Sequence, residues 1–249
     1  GEGYDCAFPG YVDNDGVTTQ FNYLALNDNE RALMAFADGL KKEGKISSII
    51  VLINTSNSLQ VDKNNEYNVD ACLWIGGVGI AGTNAVTDIL AGKVNPSGSL
   101  VDTYCYNNYS SPAMQNFVPT IYEGYDGTNI PSNAKSYMIY QEGIYVGHKY
   151  YETRYFDAVM GQGNAGDYAD QYGKEVAFTF GHGLSYTTFA YSGMTVAEGV
   201  NQHGEKCYNV SVTVTNTGDK EGKETVQIYL SSPYTQYDID NKVEKAAVQ

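Results

Sequence analysis

Asn27-Asp28-Asn29-Glu30-Arg31-Ala32-Leu33-Met34-Ala35-Phe36-Ala37-Asp38-Gly39-Leu40-Lys41-Lys42-Glu43-Gly44-Lys45-Ile46-Ser47-Ser48-Ile49-Ile50-Val51-Leu52-Ile53 changes its hydrophobic period part-way along. Up to Lys42 the apolar positions Leu33, Phe36, Ala37 and Leu40 recur at helical spacing, and Asn27 and Glu30 occupy the cap and N3 positions of a capping box. Gly44 stops that helix. Residues 46–53 then form an almost unbroken apolar run rich in β-branched side chains, the composition of a strand covered on both faces. Residues 71–75 are a second short apolar run; a glycine-rich turn follows, and residues 83–90 read as a helix stopped by Gly92. Helix, strand, strand, helix predicts an α/β layered sandwich around a mainly parallel sheet.

Residues 107–134 break into Asn, Ser, Tyr, Gly and Pro with no period long enough for an element, and residues 161–173 are equally polar and glycine-rich. A long irregular stretch inside a compact domain is usually functional or disordered. Beyond Tyr191 the character changes. Tyr208, Val210, Val212 and Val214 alternate with polar residues, residues 216–222 supply turn chemistry, and residues 225–230 alternate again, which predicts two antiparallel strands. The expected organisation is an α/β domain over residues 1–191 and an incomplete β-sandwich over residues 192–249, with the boundary near Ser192. Two or three strands cannot bury a sandwich core, so further residues of a parent protein, or another chain, are expected to complete it.

A chain of 249 residues can bury a real core. With 29 acidic against 15 basic residues, a formal charge of −14 and no lysine-arginine block, it is not expected to bind nucleic acid or an anionic membrane surface. No run of 18 apolar residues suggests a membrane span, and the compartment, cytoplasmic or secreted, is left open, as is homo-oligomerisation. Tyrosine is over-represented, 23 against 8 Phe and 1 Trp, which supplies rings that are apolar on the face and polar at the tip. Such rings suit sugars, although β-propensity alone also enriches tyrosine. Cys6, Cys72, Cys105 and Cys207 show no CxxC or Cys/His ligand spacing, which argues against zinc. Cys72, in an apolar run, is expected to be a buried free thiol.

Three tracts compete for chemistry. Gly77, Gly79 and Gly82 spell G-x-G-x-x-G ahead of a helix, with Asp102 further on, the spacing of a dinucleotide fingerprint. A helix and a strand already precede it, however, and glycine at a tight strand-to-helix turn explains the pattern without a cofactor. Gly1-Glu2-Gly3-Tyr4-Asp5 is acidic and glycine-flanked, so Glu2 and Asp5 could face a site as readily as form a solvated turn. In the third tract, residues 140–156, Glu142 precedes a glycine among five tyrosines, a setting that can build a partly desolvated acid; a plain surface glutamate is the competing reading. Tyr4 and Tyr145 are the candidate sugar-contacting rings beside these two carboxylates. Glu152 and Arg154 are read as a local structural pair.

Asn95-Pro96-Ser97-Gly98-Ser99-Leu100, then Glu142-Gly143-Ile144-Tyr145-Val146-Gly147 running into Tyr150-Tyr151, then Phe180-Gly181-His182-Gly183-Leu184-Ser185-Tyr186-Thr187-Thr188-Phe189 closely resemble, in order and spacing, three tracts in the second half of family 3 glycoside hydrolases. Residues 212–218 and 224–230 look like the opening strands of the fibronectin type III-like domain that follows in that family. The resemblance runs across essentially the whole chain. It implies part of a retaining, exo-acting β-glycosidase, a β-glucosidase first, acting on an oligosaccharide or other glycoside without a metal or organic cofactor. The acid/base role carries over to Glu142. Because some members take their acid from a different loop, Glu2 is the fallback. The aspartate nucleophile would lie in a separate (β/α)8 barrel of the same parent protein, so this chain alone is expected to be inactive. The longer forms around residues 46–116 look most like a bacterial subgroup, some of whose members carry this half ahead of the barrel.

Departures from the family pattern are His148-Lys149 where Tyr-Arg is usual, His182 where Tyr is usual, and Ile80-Ala81 in place of a common Glu. His182 between two glycines reads as a packed loop histidine before a ligand or base. Two other classes stay open: a non-catalytic carbohydrate-binding or scaffold module, and a nucleotide-binding oxidoreductase resting on Gly77, Gly79 and Gly82.

Overall fold

A computed structural model of the chain describes residues 24–60, 66–115, 120–129, 131 and 134–248. In chain order the elements are α1 (Asp28–Lys42), β1 (Ile50–Ile53), β2 (Ala71–Trp74), α2 (Thr83–Leu90), β3 (Tyr104–Cys105), a 3-10 turn (Asn108–Ser110), α3 (Pro112–Gln115), β4 (Thr120–Ile121), β5 (Ser136–Tyr137), α4 (His148–Met160), α5 (Ala169–Glu175), β6 (Val176–Phe178), β7 (Phe189–Val200), β8 (Lys206–Asn216) and α6 (Gln236–Asn241). The chain divides into two compact units, one built from the residues up to Val78 with 101–180 and 228–249, the other from 79–100 and 181–227.

In the first unit α1 begins where its cap dictates. The Asn27 side chain accepts from the Glu30 N–H at 3.0 Å while Glu30 Oε2 accepts from the Asn27 N–H at 2.8 Å. Asp28 and Glu30 at the start and Lys41 and Lys42 at the end complement the helix dipole. The helix is anchored by its last turn: Lys41 Nζ reaches Asp70 at 2.7 Å, and Asp70 in turn accepts from the Ile49 N–H at 2.7 Å. Lys42 and Asn68 both donate to Asp38, whose carboxyl they hold below its usual range. These contacts fix the leads into β1 and β2, which pair in parallel with Ile50 opposite Ala71 and Ile53 opposite Trp74.

The expected α1, β1, β2 and α2 are thus all present, but coverage differs from expectation. Leu33 and Phe36 are about two-thirds exposed (66% and 65%), and Ile50 and Leu52 each leave one face of β1 open among the described residues. Cys72 is a free thiol, exposed rather than buried. Among the described residues β1–β2 is a parallel pair, and the separate two-stranded pairings β3–β6, β4–β5 and β7–β8 are antiparallel.

The buried centre of this unit is tyrosine-rich. Cys105, Tyr151, Ala165, Tyr168 and Val176 pack together, with Tyr150, Ala158 and Tyr172 against them. Each phenol must keep a partner once desolvated. Tyr168 donates to Glu175 Oε2 at 2.7 Å, Tyr172 donates to Glu152 Oε1 at 2.6 Å, and Tyr151 lies 3.3 Å from Ser110 Oγ. Burial, reinforced by Glu175 and Glu152, raises the phenol pKa values of Tyr168 and Tyr172. The polar stretches expected to lack elements therefore hold α5 and parts of this core; side chains with both a ring and a hydroxyl blur the hydrophobic period.

The second unit is organised by two of the family-like tracts. Asn95 Oδ1 accepts from the Tyr186 N–H at 2.7 Å and from Ser185 Oγ at 3.0 Å, and its amide donates to the Glu221 carbonyl at 3.0 Å. The Leu100 N–H donates to the His182 carbonyl at 2.8 Å, and the Gly181 N–H donates back to the Leu100 carbonyl at 2.7 Å. A Cβ on Gly183 would stand 2.5 Å from the Gly98 carbonyl oxygen, so this approach requires glycine.

The expected strand pairing is corrected here. β8 pairs antiparallel with β7, from Phe189 opposite Asn216 to Val200 opposite Lys206, around a turn in which Asn201 Oδ1 accepts from the His203 and Glu205 N–H groups. Residues 225–230 form no strand. The reason lies in the segment before them: the Lys223 N–H donates to Ser97 Oγ and the Glu221 carbonyl accepts from Asn95, so that backbone is committed to the 95–100 loop and not to a ladder with β8. Ser192 falls inside β7. Among the described residues no helix is long and apolar enough to cross a membrane.

Candidate functional site

The site lies in the first unit, where the chain passes from the turn at Glu142 into α4. The Tyr145 N–H closes that turn on the Glu142 carbonyl at 2.9 Å. Gly147, with φ 60 and ψ −129, stands immediately before the helix in a conformation open to glycine and strained for other residues. The G-I-Y-V-G spacing is thus a backbone requirement: it swings the chain so that Tyr145 turns inward, half-buried, while Ile144 and Val146 stay exposed.

Glu142 is half-buried and lines a cavity of about 250 Å³ together with Tyr145, Arg154, Asp157 and Glu244. Arg154 is held rigidly. Its guanidinium carbon lies 3.8 Å from the Tyr168 ring centroid and 5.0 Å from that of Tyr150, and its Nη1 donates to Tyr150 Oη at 2.6 Å. Such cation–π contacts are worth about 0.5–2 kcal/mol. The expected Glu152–Arg154 pairing is corrected: two positions apart on α4, the side chains diverge, and Glu152 accepts from Tyr172 instead.

Burial pushes the Tyr145 phenol up to about 12, with Glu244, Asp157 and Tyr234 adding to the shift. Asp157 is likewise raised by burial, and its hydrogen bond from Gln162 opposes the rise. His148, the first residue of α4, stacks on Phe180 with ring centroids 4.1 Å apart. Burial keeps its pKa below the ordinary value; Lys149 adds to that, while Glu152 and Asp102 oppose it.

Glu142 and Tyr145, both expected from the sequence, are brought to one cavity wall. Glu2 and Tyr4 lie outside the described residues. Arg154, Asp157 and Glu244 were not anticipated as site residues. The signal for the first two was available: Tyr150, Arg154 and Asp157 recur at i, i+4 and i+7 between two glycines, the face of a single helix. Glu244, 102 residues beyond Glu142, has no local signature (244 − 142). Of the G-x-G-x-x-G glycines only Gly79 has a positive φ, and Gly82 is an ordinary helix-entry residue with φ −68. His182 contributes its backbone carbonyl to the clasp with Leu100.

A helix beside a parallel strand pair, with an acidic, tyrosine-walled cavity at a glycine-framed turn, defines a mixed α/β protein with a carboxylate site. Comparison with known proteins narrows the class. Residues 2–148 match the model of the glycosyl hydrolase family 3 C-terminal domain. The chain is 34% identical over 200 residues to β-glucosidase A of Butyrivibrio fibrisolvens, covering 75% of this chain and 20% of that protein. It is 32% identical over 184 residues to thermostable β-glucosidase B of Acetivibrio thermocellus, covering 74% and 20%. The solved structure of β-glucosidase 3B from Thermotoga neapolitana in complex with glucose superposes with a TM-score of 0.64 at 28% identity, over 91% of this chain and 26% of that one. The chain belongs to glycosyl hydrolase family 3. It spans about a fifth of the length of the curated relatives it matches.

Proposed function

We propose that this chain is the acid/base-bearing part of a retaining, exo-acting β-glycosidase, with β-glucosides as the first substrate class. Glu142 protonates the glycosidic oxygen as an aspartate attacks the anomeric carbon; Glu142 then takes a proton from the water that releases the sugar. The aspartate is contributed by a (β/α)8 barrel of the same parent protein. For retention the two carboxyls stand roughly 5–5.5 Å apart in the assembled enzyme. In this reading residues 1–191 form the family's α/β sandwich domain, and residues 192–249 open its fibronectin type III-like domain.

The observation that carries the reading is Glu142 itself: a half-buried carboxylate on a cavity wall, beside an immobilised arginine and a desolvated tyrosine, in the tract that resembles the family's acid/base loop. The β-glucosidase names of the relatives and the family match support the substrate class. In the complete parent enzyme, Glu142→Ala is expected to slow turnover by about 10²–10⁴, least for substrates with good leaving groups, with partial rescue by azide. Unchanged kinetics in that variant, with collapse in Glu2→Ala, would move the role to Glu2.

A further inference from the structure

We propose that His148 is a positioning residue for Glu142: its neutral ring, stacked on Phe180, pins the turn that carries Glu142, and protonation of that ring releases the turn. The inference rests on the acid/base reading of Glu142, and its test separates the two.

His148 is the first residue of α4 and follows directly on the turn that starts at Glu142. The Tyr145 N–H closes the near end of that turn on the Glu142 carbonyl at 2.9 Å. At the far end the Lys149 and Tyr150 N–H groups donate to the Val146 and Gly147 carbonyls at 3.3 and 3.2 Å, long for such bonds. No side chain caps α4 at Gly147, and its first turn holds no acidic residue. A helix start of this kind depends on packing to hold it. That packing is the ring stack: His148 and Phe180, both half-buried, lie with centroids 4.1 Å apart and planes 13° from parallel. Phe180 stands two residues beyond β6, which pairs with β3 and places Val176 against the buried Cys105. The stack therefore ties the Glu142 turn to the tyrosine-rich centre.

An imidazolium fits this place poorly. Burial is the largest cause holding His148 below its ordinary value of 6.5, and Lys149 adds to it. The positive end of the α4 dipole lies at the same residue and acts in the same direction. Glu152, Asp102 and the Phe180 face favour the cation, and burial outweighs the two carboxylates. With the folded-state value depressed, the contribution of the stack is complete above 6.5 and is lost as pH falls through the lower value. The tyrosine usual at this position in the family would stack without titrating near neutral pH.

The test uses the complete parent enzyme and His148→Phe, which keeps a ring for the stack and removes the proton. Hydrogen exchange, corrected for its intrinsic pH dependence, is followed at the amides of residues 145–150. Between about pH 7.5 and about pH 5 protection there is expected to fall about three- to tenfold in the parent enzyme and to stay level in His148→Phe. The fall in kcat on the acid side should shrink in the same variant. Thermal melts check folding; should His148→Phe not fold, Phe180→Leu carries the test, with low protection expected at both ends of the range. Equal pH dependence of protection in the parent enzyme and His148→Phe would overturn the proposal, as would full protection at pH 7.5 in Phe180→Leu. Glu142→Ala separates the readings. Unchanged turnover in Glu142→Ala would remove the acid/base role and the positioning role with it, whereas slowed turnover there, beside an acid limb that ignores His148, would overturn the positioning role alone.

Discussion

Thr153 and Ala247, 94 residues apart in sequence, are joined by a buried hydrogen bond: the Ala247 N–H donates to Thr153 Oγ1 at 2.9 Å. Thr153 is 1% exposed and Ala247 7%, so this bond seats the C-terminal segment on α4, the helix that follows Glu142. It is the reason a residue as distant as Glu244 reaches the same cavity.

Thr153→Val keeps the shape and removes the acceptor, leaving a buried N–H unsatisfied. A loss of about 1–3 kcal/mol is expected in denaturant unfolding. Amide hydrogen exchange should rise selectively around residues 243–248, and equal protection there in the variant and the parent chain would contradict the role given to this bond.

The same segment has its own pH sensitivity. Asp238 accepts from Lys245 Nζ at 2.7 Å and from the Thr235 hydroxyl and N–H, which together lower its pKa from 3.8 to about 2. A folded-state value below the unfolded one means the contribution is complete above the ordinary value of 3.8 and disappears as pH falls toward about 2. Exchange protection in residues 234–245 should therefore decline over that window, and Asp238→Asn should abolish the dependence.

Tyr145 provides the opposite sign. With its phenol raised from 10 to about 12, the neutral form is favoured in the fold; that contribution is present below pH 10 and is lost as pH rises through about 12. Tyrosinate absorbance should show Tyr145 titrating late, identified by difference against Tyr145→Phe. Burial is the larger cause and the Glu244 charge the next, so Glu244→Gln should bring the midpoint partly down.

Two glycines should respond differently to alanine. Gly183→Ala forces a Cβ to 2.5 Å from the Gly98 carbonyl oxygen and is expected to cost about 1–3 kcal/mol. Gly77 has no heavy atom within 4 Å of the added carbon and no positive φ, so Gly77→Ala should be neutral within about 0.5 kcal/mol. Comparative melts decide it, and a large loss at Gly77 would show that the first glycine of the G-x-G-x-x-G pattern has a structural role not visible in its surroundings.

Much of the local architecture was legible residue by residue. Asn27 and Glu30 announced the cap of α1, Gly44 its end, and the change from helical period to an apolar run announced β1; each of these signals is carried by groups a few residues apart. Helix α4 is not legible locally because Tyr150, Tyr151 and Tyr155 read equally as strand or helix residues, nor is α5, whose seven residues are mostly polar. Residues 225–230 alternate like a strand, yet form none, because neighbouring backbone groups are bonded to Asn95 and Ser97. No local pattern can report that competition.

For the site, sequence alone determined Glu142 and Tyr145 as candidates and the glycines that frame them, since a left-handed turn demands glycine wherever it occurs. Tertiary structure decided which groups face them. Arg154 is pinned by Tyr168, and Asp157 is buried with Gln162 as its donor. Glu244 joins the same wall because the C-terminal segment folds back onto Thr153. Those relations depend on long-range packing, in which two side chains meet only after the chain between them has been ordered, and the sequence carries no periodic trace of it.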